Sequence, residues 1–185
     1  MLAGIIKDAE SKMAGALDYA KQDMQTIRTG RAHPDMFSKL LASYYGTPTP
    51  LQQLVTFQSP EARTMLITPY DQSALSAVER AIRDSDLGVA PSNDGHSIRI
   101  VLPELTEERR KEFTKLARAK AEDGKVAVRN IRRHANEQVK KLEKDKEIGE
   151  DDAKRAEKQL DDATKKVIDQ VEALLKAKET ELLSV

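Results

Sequence analysis

The chain has 185 residues, in which 31 lysines and arginines balance 31 aspartates and glutamates. That length allows one sizeable core or two modest ones. It contains no cysteine, which excludes disulfides, thiolate metal sites and cysteine nucleophiles and suits a reducing compartment. Having no tryptophan and only 4% aromatic residues argues against a broad base-stacking platform.

The first predicted helix covers residues 2–29, where Leu2, Ile5, Ala9, Met13, Leu17, Ala20, Met24 and Ile27 follow helical spacing. Gly30 then stands where a left-handed cap would fit. Lys7, Asp8, Glu10 and Lys12 interrupt the apolar residues, so no secretory signal is expected here, and no stretch approaches a membrane span.

The pattern then changes. Residues 51–57, 65–68 and 97–102 read as short strands separated by Pro48, Pro50, Pro60 and Gly95. Between them a helix is predicted over 71–84, capped by Asp71 and presenting Leu75, Val78, Ala81 and Ile82. This middle segment reads as a small α/β domain. It leaves the first helix through Thr29-Gly30-Arg31 and returns through Pro103-Glu104-Leu105, two connections able to act as a hinge. The alternative is that glycine and proline merely cap neighbouring elements.

A second long helix begins at Thr106, with Glu107 and Glu108 at the positive end of its dipole, and runs to about residue 146. After Gly149 the acids Glu150, Asp151 and Asp152 open a third. Its seam is Ala153, Ala156, Leu160, Ala163, Val167, Val171, Leu174 and Leu182. Three long amphipathic helices imply a bundle. The expected fold class is therefore α+β, with a discontinuous bundle domain (1–29 and 106–185) and an inserted domain (30–105).

The second long helix also carries a basic stripe. Lys111, Arg118, Lys125 and Arg132 recur every seven residues and fall within roughly 60° around the helix, flanked by Lys115, Arg129 and Arg133. Phe113, Leu116, Ala117, Ala127, Val128, Ile131, Ala135 and Leu142 form the expected packing face. Between residues 109 and 133 ten bases, Arg110 among them, face three acids, whereas residues 135–185 are acidic. Such a stripe attracts a polyanion by Coulomb forces and counterion release, and arginines can grip a phosphate through two hydrogen bonds. The competing reading is the wet face of an ordinary soluble helix.

Candidate chemistry is sparse. His33, His96 and His134 are scattered, without the spacing of a zinc helix, so no metal or other cofactor is expected. Tyr44-Tyr45-Gly46-Thr47-Pro48-Thr49-Pro50 lacks the glycine-lysine-serine/threonine core of a P-loop and reads as a rigid turn after a strand. Asp151-Asp152 and Asp161-Asp162 stand beside lysines, as on a solvated helix face. No serine, histidine and aspartate constellation can be assembled, and an autonomous hydrolase is not expected.

Four segments in this order resemble the ribosome recycling factor family: Ile27-Arg28-Thr29-Gly30-Arg31-Ala32, Tyr44 to Leu51, Leu105-Thr106-Glu107-Glu108-Arg109-Arg110, and Val128-Arg129-Asn130-Ile131-Arg132-Arg133. The resemblance spans essentially the whole chain. It implies an L-shaped, monomeric, cytoplasmic protein with a three-helix bundle and an inserted β/α/β domain. It further implies that the protein binds the post-termination ribosome and, with elongation factor G, which hydrolyses the GTP, separates the subunits. By that resemblance Arg129, Arg132 and Arg133 face ribosomal RNA of the large subunit, and Arg28 and Arg31 add charge near the domain junction. Arg110, Lys111, Arg118 and Lys125 join them from the stripe. Two other readings stay open from the residues alone: a helical adaptor or chaperone-like protein using the 153–182 seam, and a general nucleic-acid-binding module.

Overall fold

The computed structural model describes residues 1–184, which divide into two compact units: residues 1–28 with 107–184, and residues 29–106. The first is a bundle of α1 (Leu2–Gln25) and two longer helices. α1 stops four residues before the predicted end, because Thr26 closes it. Its amide donates to the carbonyls of Asp23 and Met24, and its hydroxyl donates to Asp23 at 2.6 Å. Gly30 does take a left-handed φ of 79°, but beyond the helix, so it is not the cap.

The second unit begins with a 3-10 turn, Pro34–Phe37, that drives Phe37 into its core. The strand expected before the Tyr44–Pro50 turn follows as β1 (Leu41–Tyr44), but it is paired in a hairpin to β2 (Thr47–Pro50), a return strand not expected from the sequence. Tyr45 (φ 49°) and Gly46 (φ 77°) are both left-handed, the twist that a two-residue hairpin turn requires. Residues 51–57 do not form one strand: α2 (Leu51–Leu54) is a single helical turn, and only then does β3 (Val55–Glu61) start. β4 (Thr64–Pro69) pairs with β3, a 3-10 turn at Gln72–Ala74 leads into α3 (Leu75–Arg83), and β5 (Ser92–Asn93) and β6 (Ile98–Val101) complete an antiparallel sheet of order β3-β4-β6-β5. Alternation decides its faces. Ile98 and Ile100 pair with Ile67 and Met65 and are fully buried, while Arg99 and Val101 point outward. Val78 and Ile82 of α3, also fully buried, belong to the same core, and Phe37 stacks on Phe57 at 5.6 Å.

Back in the bundle, α4 (Glu107–Lys144) and α5 (Glu150–Leu183) run alongside α1. They are joined by a turn in which the amides of Lys146 and Glu147 bond back to Glu143 and Leu142, with Lys146 at a left-handed φ of 59°. The acids Glu150, Asp151 and Asp152 occupy the first turn of α5, where the helix dipole favours negative charge. One cluster joins Ala9 of α1, Ala135 and Val139 of α4, and Ala153, Ala156 and Leu160 of α5. A second joins Met24, Ala121 and Val171. Burying Thr164 costs little because its hydroxyl donates to the Leu160 carbonyl at 2.7 Å. No helix among the described residues is long and apolar enough to cross a membrane.

Candidate nucleic-acid interface

The buried positions of α4 are Ala117, Ala121, Gly124, Val128, Ala135 and Val139. Their spacing of three, four and seven residues defines a narrow seam of mostly small side chains. Two residues assigned to the packing face lie outside it: Leu116 is 43% exposed and Ala127 is also exposed. The seam is rotated toward the side on which the basic residues sit, because it must meet both α1 and α5.

That rotation changes what the stripe is. Lys125 follows Gly124 and Arg132 lies four residues beyond Val128, so the seven-residue line runs along the edge where α4 meets α5. Arg118 donates from Nε to Glu179 Oε1 at 3.0 Å, Lys125 pairs with Glu172, and Arg132 stands 4.0 Å from Asp161. Lys125 retains only 15% side-chain exposure, its stem packed in the helix–helix groove, whereas Arg118 keeps 67%. Lys111 pairs with Glu107 one turn earlier at 3.7 Å. The stripe is thus not a free basic face: three of its four members are paired to acids of the neighbouring helix. Asp161, singled out by sequence as part of an acidic pair, is one of them.

Arg129 reaches Glu122 at 3.5 Å, while Arg133 and Lys115 are exposed with no acid within 4.0 Å among the described residues. Arg110 departs from expectation too: seven residues before Ala117, it lies on the line of the buried seam and is half-buried. Arg28 closes the first unit and Arg31 belongs to the second, and both are exposed. The acids opposing the stripe were missed, although a signal existed. Glu172 and Glu179 repeat the seven-residue interval of Lys125 and Arg118, in the reversed order that antiparallel helices require.

The remaining connections are anchored within the second unit. The amide of Ala32 donates to Ala62 and that of Leu102 to Arg63, both at 2.7 Å. Arg63 also donates from Nη1 to the Leu102 carbonyl and pairs with Glu104. Thr29 is buried, and Pro103 and Glu104 are exposed.

Fold and charge pattern together define a class: a three-helix bundle, interrupted in sequence by a β-rich unit, whose longest helix carries a line of cations. The family model described as ribosome recycling factor matches residues 20–183. Ribosome-recycling factors of Kocuria rhizophila and Cutibacterium acnes are 63% and 61% identical to this chain, over 99% and 100% of both sequences respectively. A solution structure of a ribosome recycling factor superposes with a TM-score of 0.80 at 40% identity, covering 100% of this chain and 98% of that one. A second structure, at 42% identity with a TM-score of 0.69 and 99% coverage of both chains, is described as models for the T. thermophilus ribosome recycling factor and the E. coli elongation factor G bound to the E. coli post-termination complex. The chain belongs to the ribosome recycling factor family.

Proposed function

We propose that this protein binds the post-termination ribosome in the cytoplasm as a monomer. There, with elongation factor G and GTP, it splits the subunits and promotes release of mRNA and deacylated tRNA. The observation that carries this reading is family membership over the full chain, supported by the post-termination complex to which a 42% identical relative is bound. The protein contributes binding and geometry, not bond chemistry: GTP hydrolysis belongs to elongation factor G.

Arg129, Arg132 and Arg133 supply the principal contacts to large-subunit RNA, with Arg28 and Arg31 as flanking charge. Lys111, Arg118 and Arg110 contribute less. Lys125 acts chiefly within the bundle, as its burial against Glu172 supports. Elongation factor G displaces the α/β unit through a hinge at Thr29, Gly30 and Arg31 and at Pro103, Glu104 and Leu105. The bonds of Ala32 and Leu102 to the 62–63 turn support a hinge whose bending falls on residues 29–31 and 103–105, outside those two anchors.

Light scattering of post-termination ribosomes with elongation factor G and GTP tests the proposal. Splitting should require this chain and should be impaired by a folded Arg132→Ala variant. Failure of the wild type to bind or split ribosomes from its own source would overturn the assignment.

A further inference from the structure

The acids of α5 suggest how a basic helix can be selective. Arg118, Lys125 and Arg132 meet Glu179, Glu172 and Asp161, so each cation already has a carboxylate close to where an incoming phosphate would sit. A carboxylate presents two acceptor oxygens to a guanidinium much as a phosphate does. We propose that Asp161 and Glu179 are specificity-determining residues that occupy Arg132 and Arg118 against non-cognate RNA. They yield these arginines only to an RNA surface shaped to contact the exposed Arg133 at the same time. The inference rests on the recycling reading above.

Two physical points favour it. Exposed ion pairs of this kind hold their partners by no more than roughly fivefold in equilibrium constant. A ligand making several contacts at once can exchange them, but one touching a single cation gains little. Moreover, a phosphate docking on Arg118 or Arg132 must approach the neighbouring carboxylate, and that repulsion acts over a Debye length of about 8 Å at physiological ionic strength. The two pairs also differ usefully. Arg118 donates a 3.0 Å hydrogen bond to Glu179, whereas Arg132 lies 4.0 Å from Asp161, too far for one, so Arg132 is the easier to release.

The test is a double variant, Asp161→Asn with Glu179→Gln, compared with the wild type. A control carrying Glu10→Gln and Asp151→Asn makes the same change in net charge away from this line. The probes are an unrelated RNA duplex and post-termination ribosomes, each titrated over a range of salt, with thermal melting to establish folding. The expected result is duplex affinity raised roughly two- to fivefold per released cation. The logarithmic salt slope should steepen by about one to two, with little change in the control. The preference for ribosomes over duplex should fall accordingly. Unchanged duplex affinity and slope in the folded double variant, or an equal gain in the control, would overturn the proposal and leave these acids as helix-to-helix staples. If the double variant does not fold, Asp161→Asn alone carries the same test at Arg132. Failure of the wild type to bind ribosomes would instead sink the recycling reading, which the same titrations reveal separately.

Discussion

A methyl group added at Gly124 of α4 would lie 3.2 Å from Cβ of Ala20 in α1 and 3.7 Å from a methyl of Val171 in α5. The three helices therefore come close together around a residue without a side chain. Gly124→Ala sets a helix-propensity gain of about 1 kcal/mol against displacement of a Cβ fixed to the α1 backbone, and its net effect should be small. Gly124→Leu has no such balance. Its bulk must push α1 or α5 aside, and denaturant unfolding should show a loss of at least about 1–3 kcal/mol. A Leu variant as stable as wild type would mean that the bundle is not packed here as described.

The α4–α5 turn stores a correctable strain. Lys146 occupies the left-handed position of a Schellman-type cap, its amide bonded to Glu143 and that of Glu147 to Leu142. A non-glycine residue pays about 1–2 kcal/mol for that conformation. Lys146→Gly should stabilise the bundle by roughly 0.5–1 kcal/mol after the added freedom of the unfolded chain is counted. The readout is the denaturation midpoint with an unchanged slope, and a lowered midpoint would contradict the assigned cap.

How much of this could be read from sequence depends on which residues carried the signal. Long seams of large apolar residues, such as Met13 to Met24 in α1 and Leu160 to Leu182 in α5, announced their helices. The seam of α4 did not reveal its exact direction, because Ala117, Ala121 and Gly124 are small and weakly hydrophobic while Leu116 is larger yet exposed. The return strand β2 of the hairpin was hidden because Thr-Pro-Thr-Pro reads as a breaker. It is tolerated in a two-stranded ribbon, where β2 has one partner only. The cations of the candidate interface were legible as a periodic line, but their partners Asp161, Glu172 and Glu179 sit on another helix, and periodicity within one element does not report what faces it.

The second unit contains a titrating network suited to a pH test. Tyr44 donates its hydroxyl to Asp71 Oδ2 at 2.8 Å, and Asp71 Oδ1 accepts the amide and hydroxyl of Ser73 at 3.0 and 2.8 Å. The hydrogen bond to Asp71 pushes the Tyr44 phenol up from 10.0 to about 12. The Ser73 bonds, followed by that of Tyr44, hold Asp71 below its usual range. The signs are opposite in their pH windows. Asp71 stabilises the fold above its unfolded pKa, and that contribution is lost as pH falls through its lowered folded value. Tyr44 stabilises below about 10, and its contribution is lost as pH rises through about 12. Asp71→Asn should bring the last phenolate step of an alkaline absorbance titration down toward the ordinary tyrosine value, and should blunt the acid limb of the stability profile. An unmoved phenolate step would remove the assigned bond.

Lys125 and Arg133 should separate folding from ribosome binding. Lys125 is 15% exposed and paired with Glu172 across the helix interface, whereas Arg133 is exposed and has no acid within 4.0 Å among the described residues. Lys125→Ala removes buried methylenes as well as a charge, and should cost roughly 1–2 kcal/mol of bundle stability. Arg133→Ala should change stability by less than about 0.5 kcal/mol. On the proposed function it should nevertheless weaken ribosome binding and reduce its logarithmic salt slope by about one. Chemical denaturation and salt-dependent ribosome binding, measured on both variants, give a two-by-two comparison. If Lys125→Ala lowers binding more than Arg133→Ala while leaving stability intact, the contact line runs through the paired stripe and not along its outer flank, and the division of labour drawn from burial is wrong.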